Sequence, residues 1–383
     1  MKRLTIYFII TLFSNFNSIA QEVLNSFNIT GYVTTMQSVM FDSINGTWTN
    51  DNLIHNRVNL KVYGGEHFTF AAEFRNRLIT GDIVKLNPLY PEMIGNDLGM
   101  VDLSWNIFSE RSFILNTTLD RLWIDYNSGI FQVRAGRQRI NWGQTFVWNP
   151  NDIFNAYSFF DFDYAERPGS DAVRVQIYPS SSSTIEIAAK ADSDNDITAA
   201  ALYRFNKWGY DFQFLGGYVN NEDFVVGTGW SGAYKNVSIR GEVSWFQPTV
   251  AMTDTIGTGL FTTGIDKIFN NNSMVQVQIM YCNKPVNFSN FDTFYSGNLS
   301  SKDLAFSEFS LFTQFTYPVT PLLNFTISGM YFPDLKGYFA GPSIDYSIAE
   351  NFDFSLIVQH FEGEMGLSRS RINLGFLRIR YSY

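Results

Sequence analysis

The sequence predicts an all-β fold: a transmembrane antiparallel up-and-down β-barrel of about eighteen strands, with sixteen as the lower bound. Three observations predict it. Segments of alternating apolar and polar residues recur along most of the chain. The connections between them alternate between tight turns and longer loops. After the N-terminal segment, no apolar run approaches the roughly twenty residues of a spanning helix, so membrane residence requires a barrel.

The first twenty residues (1–20) resemble a secretory signal peptide. Two basic residues precede an apolar run over residues 4–13, which is about half the length of a spanning helix. The small residues Ser18 and Ala20 fit cleavage after Ala20. We therefore expect this segment to be removed on export, and residues 21–383 to form a single outer-membrane barrel domain.

Strand candidates follow one another from residue 26 to the end of the sequence, and there are eighteen of them. They cover residues 26–40, 53–63, 67–78, 112–126, 130–140, 171–178, 184–191, 196–205, 208–219, 223–234, 237–246, 255–268, 273–283, 305–317, 322–332, 335–348, 352–361 and 371–383. Turns after even-numbered candidates are tight and rich in Gly, Asn, Ser and Pro. Longer connections follow odd-numbered candidates, at 79–111, 141–170, 247–254, 285–304 and 362–370. Outer-membrane barrels sort short periplasmic turns and long extracellular loops in this way.

The last strand indicates which face of the strands meets lipid. Leu377 and Ile379 alternate with Arg378 and Arg380. If the strand were turned over, both arginines would face lipid, at a cost of roughly 2–4 kcal/mol each near the membrane midplane. The sequence therefore predicts that guanidinium groups face a watery lumen.

Applied to the other strands, the same alternation places many basic side chains on neighbouring strands around the closure of the barrel. The predicted basic wall consists of Arg57, Lys61, Arg75, Arg77, Arg121, Arg134, Arg174, Arg378 and Arg380. The remaining strands offer a mixed set of charges that includes Glu186 and Glu242. The alternative role for each lumen arginine is a structural ion pair with Glu73 or Asp125.

The connection 141–170 is too long and too apolar for an ordinary surface loop, so we expect it to fold back into the lumen. Its carboxylates are Asp152, Asp161, Asp163 and Glu166. Facing the arginines, they would set up a transverse field across a narrowed pore and select polar or anionic solutes. For the aromatic run at 159–164, the alternatives are a self-packed loop and a sugar-stacking or calcium site.

Other classes of function find little support in the composition. A net charge of −9 argues against a nucleic-acid partner. One cysteine and three histidines give no basis for a disulfide framework, a metal site or a cofactor. A catalytic pair of His360 with Ser368 or Ser370 would lack an orienting partner and an oxyanion hole, so no enzyme is predicted.

The segment RAGRQRINWG, followed by NPND, resembles the G-R-Q-x-x-x-W-G … N-P-x-D signature of porin-like outer-membrane proteins of unknown function. These proteins are similar in style to the alginate-export family of eighteen-stranded barrels. The matching residues are Gly136, Arg137, Gln138, Trp142, Gly143, Asn149, Pro150 and Asp152. The resemblance implies a barrel without catalytic residues, and the composition looks like that of Bacteroidota proteins. We also expect Gly136 to permit a bulge that turns Arg137 and Gln138 inward.

Together these observations favour a porin-like channel for passive diffusion of small polar or anionic solutes, with oligosaccharides among the candidates. Its lumen would be lined by arginines and narrowed by the loop 141–170. The alternative is a non-conducting barrel that serves as a scaffold subunit or as a surface-glycan anchor. Both hypotheses place the protein in the cell outer membrane of a Gram-negative bacterium, in contact with lipid. Both are compatible with a homo-oligomer or with accessory outer-membrane subunits.

Overall fold

In a computed structural model, the chain forms a closed antiparallel β-barrel. The structure describes residues 26–156, 166–250, 252, 254–286, 300–366 and 368–383. The predicted signal peptide lies outside the described residues. Across those described parts, no helix has both the length and the apolar character needed to cross a membrane.

Among the described residues, eighteen strands close the barrel, and a short additional strand, β4, joins its wall from a loop. The strands are β1 Phe27–Phe41, β2 Thr49–Gly64, β3 Phe68–Gly81, β4 Ser104–Ser109, β5 Phe113–Asn127, β6 Phe131–Gln138, β7 Ser170–Ser180, β8 Ser183–Ala191, β9 Ile197–Lys207, β10 Tyr210–Val219, β11 Asp223–Tyr234, β12 Val237–Pro248, β13 Thr258–Ile268, β14 Met274–Cys282, β15 Phe309–Thr320, β16 Leu323–Phe332, β17 Gly337–Ala349, β18 Phe352–Met365 and β19 Ser368–Ser382. Two short helices, α1 Asp82–Leu86 and α2 Tyr90–Gly95, lie between β3 and β4.

The barrel closes where its last strand meets its first. β19 pairs antiparallel with β1, in a register that places Tyr32 opposite Ser382 and Phe41 opposite Asn373. The predicted fold class is confirmed, and each of the eighteen predicted strands corresponds to a barrel strand.

The two faces of the wall differ in composition. On β19, Leu377, Ile379 and Tyr381 are exposed, whereas Arg378 and Arg380 on the other row are only partly exposed. Arg380 lies over the ring of Tyr32, a buried side chain on the same inner face of β1. We call these two sets of positions the outer row and the inner row of each strand. The outer row is the surface toward lipid.

The longest connections all lie at one end of the barrel, which we call the long-loop end, and the turns at the other end are short. The prediction of a long loop at 362–370 is wrong. There, β18 and β19 continue as a hairpin, and the pairing extends to Met365 opposite Ser368. Charged residues of this segment form cross-strand ion pairs, such as Arg371 to Glu362 at 2.9 Å.

The connection predicted over 79–111 contains the two helices and β4, and β4 completes the barrel wall. β6 has only eight residues and pairs with β5 from Leu122 to Asn127. Above it, β4 occupies the same edge of β5 and pairs with Ile114 to Thr118. The segment from residue 97 to β4 therefore fills the place that β6 leaves when its chain turns into the lumen.

Candidate functional site in the lumen

The connection between β6 and β7 folds into the lumen, as predicted for the loop 141–170, within its described part. Trp142 and Trp148 of this infolded loop are 1% and 4% exposed. The buried loop residues are Ile140, Trp142, Val147, Trp148, Ile153 and Phe154, and they pack against inner-row residues from Ala172 on β7 to Phe361 on β18. The apolar contact holds the loop against that side of the wall.

A second connection, between β14 and β15, packs into the same cluster. Leu304, Ala305 and Phe306 are at most 5% exposed. The predicted strand start at residue 305 is therefore wrong, and β15 begins at Phe309. The apolar run that suggested a strand is buried inside the lumen as a loop.

Glu242, on the inner row of β12, is the central anchor of the infolded loop and is fully buried. Its Oε1 accepts hydrogen bonds from the backbone N–H groups of Gln144 and Thr145, the latter at 3.0 Å. Its Oε2 accepts one from the backbone N–H of Asn151 at 2.9 Å. One carboxylate thus satisfies three backbone donors of a buried turn, and such charge-assisted bonds are the strong ones.

Other inner-row side chains hold the two tryptophan positions. Glu186 accepts a hydrogen bond from Trp142 Nε1 at 2.7 Å, and Gln213 donates to the Trp142 carbonyl at 2.8 Å. Gln278 donates to the Trp148 carbonyl at 3.1 Å. Sequence reasoning missed these anchors. They could have been found from the sequence as polar residues in the middle of strands, on the inner row. Polar groups that an apolar loop covers must find hydrogen-bond partners in that loop.

The residues of the segment that resembles the porin-like signature shape the infolded loop itself. Asn149 Oδ1 accepts the Thr145 backbone N–H at 2.9 Å, and Asp152 Oδ1 accepts that of Trp142 at 3.2 Å. Gly143 lies so close that a Cβ there would sit 2.6 Å from Asn149 Oδ1. Pro150 is also buried in this turn. The motif therefore encodes a turn that fits against the wall.

The expectation that Gly136 forms a bulge and turns both following residues inward is wrong. Gly136 has a φ of 111°, but the register with β5 and β7 continues without a shift. Gln138 is on the inner row, and Arg137 stays on the outer row opposite Asp171. A positive φ at glycine is absorbed here without an inserted residue.

Arg137 binds the segment 97–101, which leads into β4 and fills the gap in the wall above β6. It donates to both carboxylate oxygens of Asp171, at 2.7 and 2.8 Å, and to Asp97 at 2.6 Å. It also donates to the Val101 carbonyl at 2.6 Å. Its side chain is 5% exposed, because the segment 97–101 covers it. A guanidinium on the lipid side of the wall is thereby neutralised and shielded.

Two arginines of the predicted basic wall form structural ion pairs, which the sequence analysis gave as the alternative to a role in solute selection. Arg57, whose side chain is fully buried, lies 2.6 Å from both Glu73 and Asp120. Arg134 lies 2.9 Å from Asp125. These guanidinium groups stiffen the wall, and their charges are cancelled locally.

Three further members of the predicted wall have other polar partners. Arg121 donates to the backbone carbonyls of Glu166 and Arg167, at 2.8 and 2.6 Å, and so holds the end of the infolded loop. Arg75 lies 3.5 Å from a carboxylate oxygen of Asp120. Arg77 donates to the Asn116 side chain at 2.8 Å, next to the helices of the mouth.

The remaining members have no carboxylate partner in the part of the chain that the structure describes. They are Lys61, Arg174, Arg378 and Arg380. Arg378 donates to the Ser355 hydroxyl at 3.1 Å, and the Arg380 guanidinium lies 3.8 Å from the centre of the Tyr32 ring. Each is partly or fully exposed on the inner row. These four groups therefore form no close ion pair with the described residues, although Asp353 lies opposite Arg380 in the register of β18 with β19.

The carboxylates predicted to narrow the pore, those of the loop 141–170, do not form one group in the structure. Glu166 accepts a hydrogen bond from the Tyr32 hydroxyl at 3.0 Å and lies 3.9 Å from Arg57, so it reaches the basic wall. Asp152 is buried within the turn of the infolded loop. Asp161 and Asp163, with the rest of the aromatic run, lie outside the described residues.

Asp152 is expected to make the infolded loop sensitive to pH. Burial raises the pKa of Asp152 from its ordinary value of 3.8 to about 7, against the effect of nearby Arg139 and Arg167, with a further rise from Glu242. Because the raised pKa means that the packed loop binds a proton which the released loop gives up, packing weakens as the pH rises from about 4 to about 7. Protease cleavage of the loop in the folded barrel is expected to be faster at pH 8 than at pH 5. Asp152→Asn should remove most of this difference, and an unchanged pH profile in that variant would contradict the assignment.

The histidine and the two serines considered as a catalytic pair lie on opposite faces of the wall. No group of three or more His, Cys, Asp or Glu side chains is arranged to hold a metal ion there. His360 lies on the outer row of β18, and its ring nitrogens contact Asn373 and Tyr338. Ser368 and Ser370 share the inner row of β19 with Arg378, so they point away from this histidine.

These features define a closed eighteen-stranded membrane barrel with infolded loops. No family model and no curated protein matches the sequence. Solved structures match the fold, among them Acinetobacter baumannii OccAB1, with a TM-score of 0.59 and 11% identity over 96% of this chain and 99% of that one. Pseudomonas aeruginosa OccK8 (OprE) has a TM-score of 0.59 and 8% identity over 94% and 98%. Pseudomonas aeruginosa OpdQ has a TM-score of 0.59 and 9% identity over 93% and 98%.

Proposed function

We propose that this protein is an outer-membrane channel through which small polar or anionic solutes diffuse passively. The passage would run between the infolded loop and the arginine-bearing side of the wall. The observation that carries this proposal is the uneven distribution of charge in the lumen. The loops cover the inner row from β7 to β18 with apolar contacts, whereas Arg378 and Arg380 on β19 are partly exposed and form no ion pair with the described residues. Such a wall attracts anions into a narrow, watery path.

The similarity of fold supports the same conclusion. The Occ and Opd proteins are outer-membrane porins, and this chain has their barrel architecture over nearly its whole length. On this basis we assign the long-loop end to the cell exterior and the short turns to the periplasm. Export by a cleaved signal peptide, oligosaccharide substrates and assembly with other copies or subunits belong to this proposal as expectations from the sequence.

The test is conductance of the purified full-length protein in planar bilayers. Under a salt gradient, we expect discrete channel openings with a reversal potential that indicates anion preference. A barrel that inserts but never conducts would contradict the proposal. That outcome would favour the second candidate function, a sealed scaffold or glycan anchor, for which the extensive packing of the loop in the lumen is the supporting observation.

A further inference from the structure

The outer face of the hairpin β18–β19 carries a polar cluster that lies outside the lumen. Along the outer row toward the long-loop end, the exposed side chains Val358 and Leu377 are followed by His360, and then by the pair Glu362 and Arg371. Each step of two residues rises about 5 Å along a tilted strand. The charged positions therefore lie at the height of lipid headgroups, about 10 Å beyond residues that meet acyl chains.

Aromatic side chains on the neighbouring strands and in the adjoining β1–β2 connection indicate the same position relative to the membrane. Tyr338 on β17 is 41% exposed, and its hydroxyl lies 3.1 Å from the His360 ring. Trp48, which is 44% exposed, stacks on Phe41 at the end of β1 with ring centres 4.1 Å apart. Exposed aromatic residues of this kind form the girdles at the two membrane interfaces of outer-membrane barrels.

Two arginines converge on one carboxylate at this level. Arg369 Nε donates to Glu362 Oε1 at 2.6 Å, and Arg371 Nε donates to Glu362 Oε2 at 2.9 Å. The Glu362 side chain is 11% exposed, while those of the arginines are 52% and 54% exposed. Each guanidinium bonds to Glu362 through Nε, and its two terminal nitrogens donate no hydrogen bond to the described residues.

The charges at this site do not cancel. Glu362 compensates one of the two guanidinium groups. Glu364, the next carboxylate on the outer row, lies 2.8 Å from Lys336 and is compensated there. A net positive charge with two fixed planar forks therefore remains. Guanidinium forks match the geometry of phosphate oxygens, which they bind through pairs of parallel hydrogen bonds.

We propose that Arg369 and Arg371 bind the phosphate group of a lipid in the leaflet at the long-loop end, with Glu362 holding both guanidinium groups in place. Phosphate is the ligand chemistry that the paired forks fit. A lipid is the source, because the site faces away from the lumen and stands directly above a lipid-facing row. This site does not depend on the proposed channel, since it would bind lipid whether or not the lumen conducts.

The test uses the detergent-solubilised full-length protein, with bound lipids counted by native mass spectrometry. Phosphatidic acid, which carries a phosphate monoester, is titrated against phosphatidylcholine of the same chain length. We expect the protein to prefer phosphatidic acid, and the Arg369→Gln/Arg371→Gln variant to bind it about tenfold more weakly, because two charge-assisted contacts are lost. Arg111→Gln removes an exposed positive charge from the turn between β4 and β5, at the same end of the barrel but several strands from the site, and it should retain the wild-type affinity.

Three results would overturn the proposal. The first is equal binding of phosphatidic acid by the folded Arg369→Gln/Arg371→Gln variant and the wild type, with retained barrel folding checked by heat-dependent gel mobility. The second is an equal loss in Arg111→Gln, which would indicate general surface charge. The third is inorganic phosphate competing as strongly as the lipid, which would make the source a free anion and not a membrane component.

Discussion

Glu242→Ala is expected to release the infolded loop from the barrel wall. The change leaves the backbone N–H groups of Gln144, Thr145 and Asn151 without their acceptor in a buried site. Breaking such a network costs on the order of 3–5 kcal/mol, which is comparable to the energy that holds a loop in place. Single-channel conductance in planar bilayers should therefore rise, and protease should cut the loop faster.

Two control variants separate this effect from a general loss of charge. Glu242→Gln keeps one oxygen acceptor and should give an intermediate result. Asp211→Ala removes an exposed inner-row carboxylate that accepts a hydrogen bond from Asn206 on β9, far in sequence from the loop. It should leave conductance and cleavage at wild-type levels. If Glu242→Ala matched the wild type in both measurements, the anchoring role would be wrong.

Arg378→Gln combined with Arg380→Gln is expected to remove most of the anion preference of the channel. Neither side chain forms an ion pair with a carboxylate among the described residues, so both guanidinium groups remain available to a passing anion. A unit charge at about 4 Å in water contributes about 1 kcal/mol, so the ratio of anion to cation permeability should fall by about fivefold or more. Reversal potentials under a salt gradient measure this ratio.

The matched control removes an ion pair from the same wall. Asp125→Asn combined with Arg134→Gln deletes a bridge of 2.9 Å without changing the net charge of the lumen. Its permeability ratio should stay near that of the wild type. Equal loss of preference in both double variants would mean that the lumen arginines do not act as individual selectivity groups.

The fold could be predicted from the sequence because the membrane imposes a strict alternation on each spanning strand. On β19, exchanging the rows would place Arg378 and Arg380 in lipid, and that penalty fixes the register. The prediction failed at positions where this constraint ends. The hairpin tip beyond residue 362 lies above the apolar band, and β4 is part of an insertion whose alternation is interrupted by a register shift between Asn106 and Phe108.

The site was predictable only in part. The alternation of residues along each strand identified the arginines that face the lumen. It does not reveal which of them meet a carboxylate on a strand that is distant in sequence, as Arg57 meets Asp120. The anchors of the infolded loop depend on contacts such as Val147 to Gln278, which are separated by more than a hundred residues. No local pattern encodes that pairing.

The pairing of β4 with β5 above the short strand β6 matters for grafting this architecture into other barrels. If β4 were removed, the upper edge of β5 from Ile114 to Thr118 would present unpaired peptide groups to hydrocarbon, at several kcal/mol for each group. The infolded loop between β6 and β7 and the segment that ends in β4 are therefore one functional unit, although they come from different insertions. The first narrows the pore, and the second closes the gap that the first leaves in the wall. A designer who grafts residues 139–169 would need to graft 97–109 with them. Otherwise the wall would keep a gap beside β5.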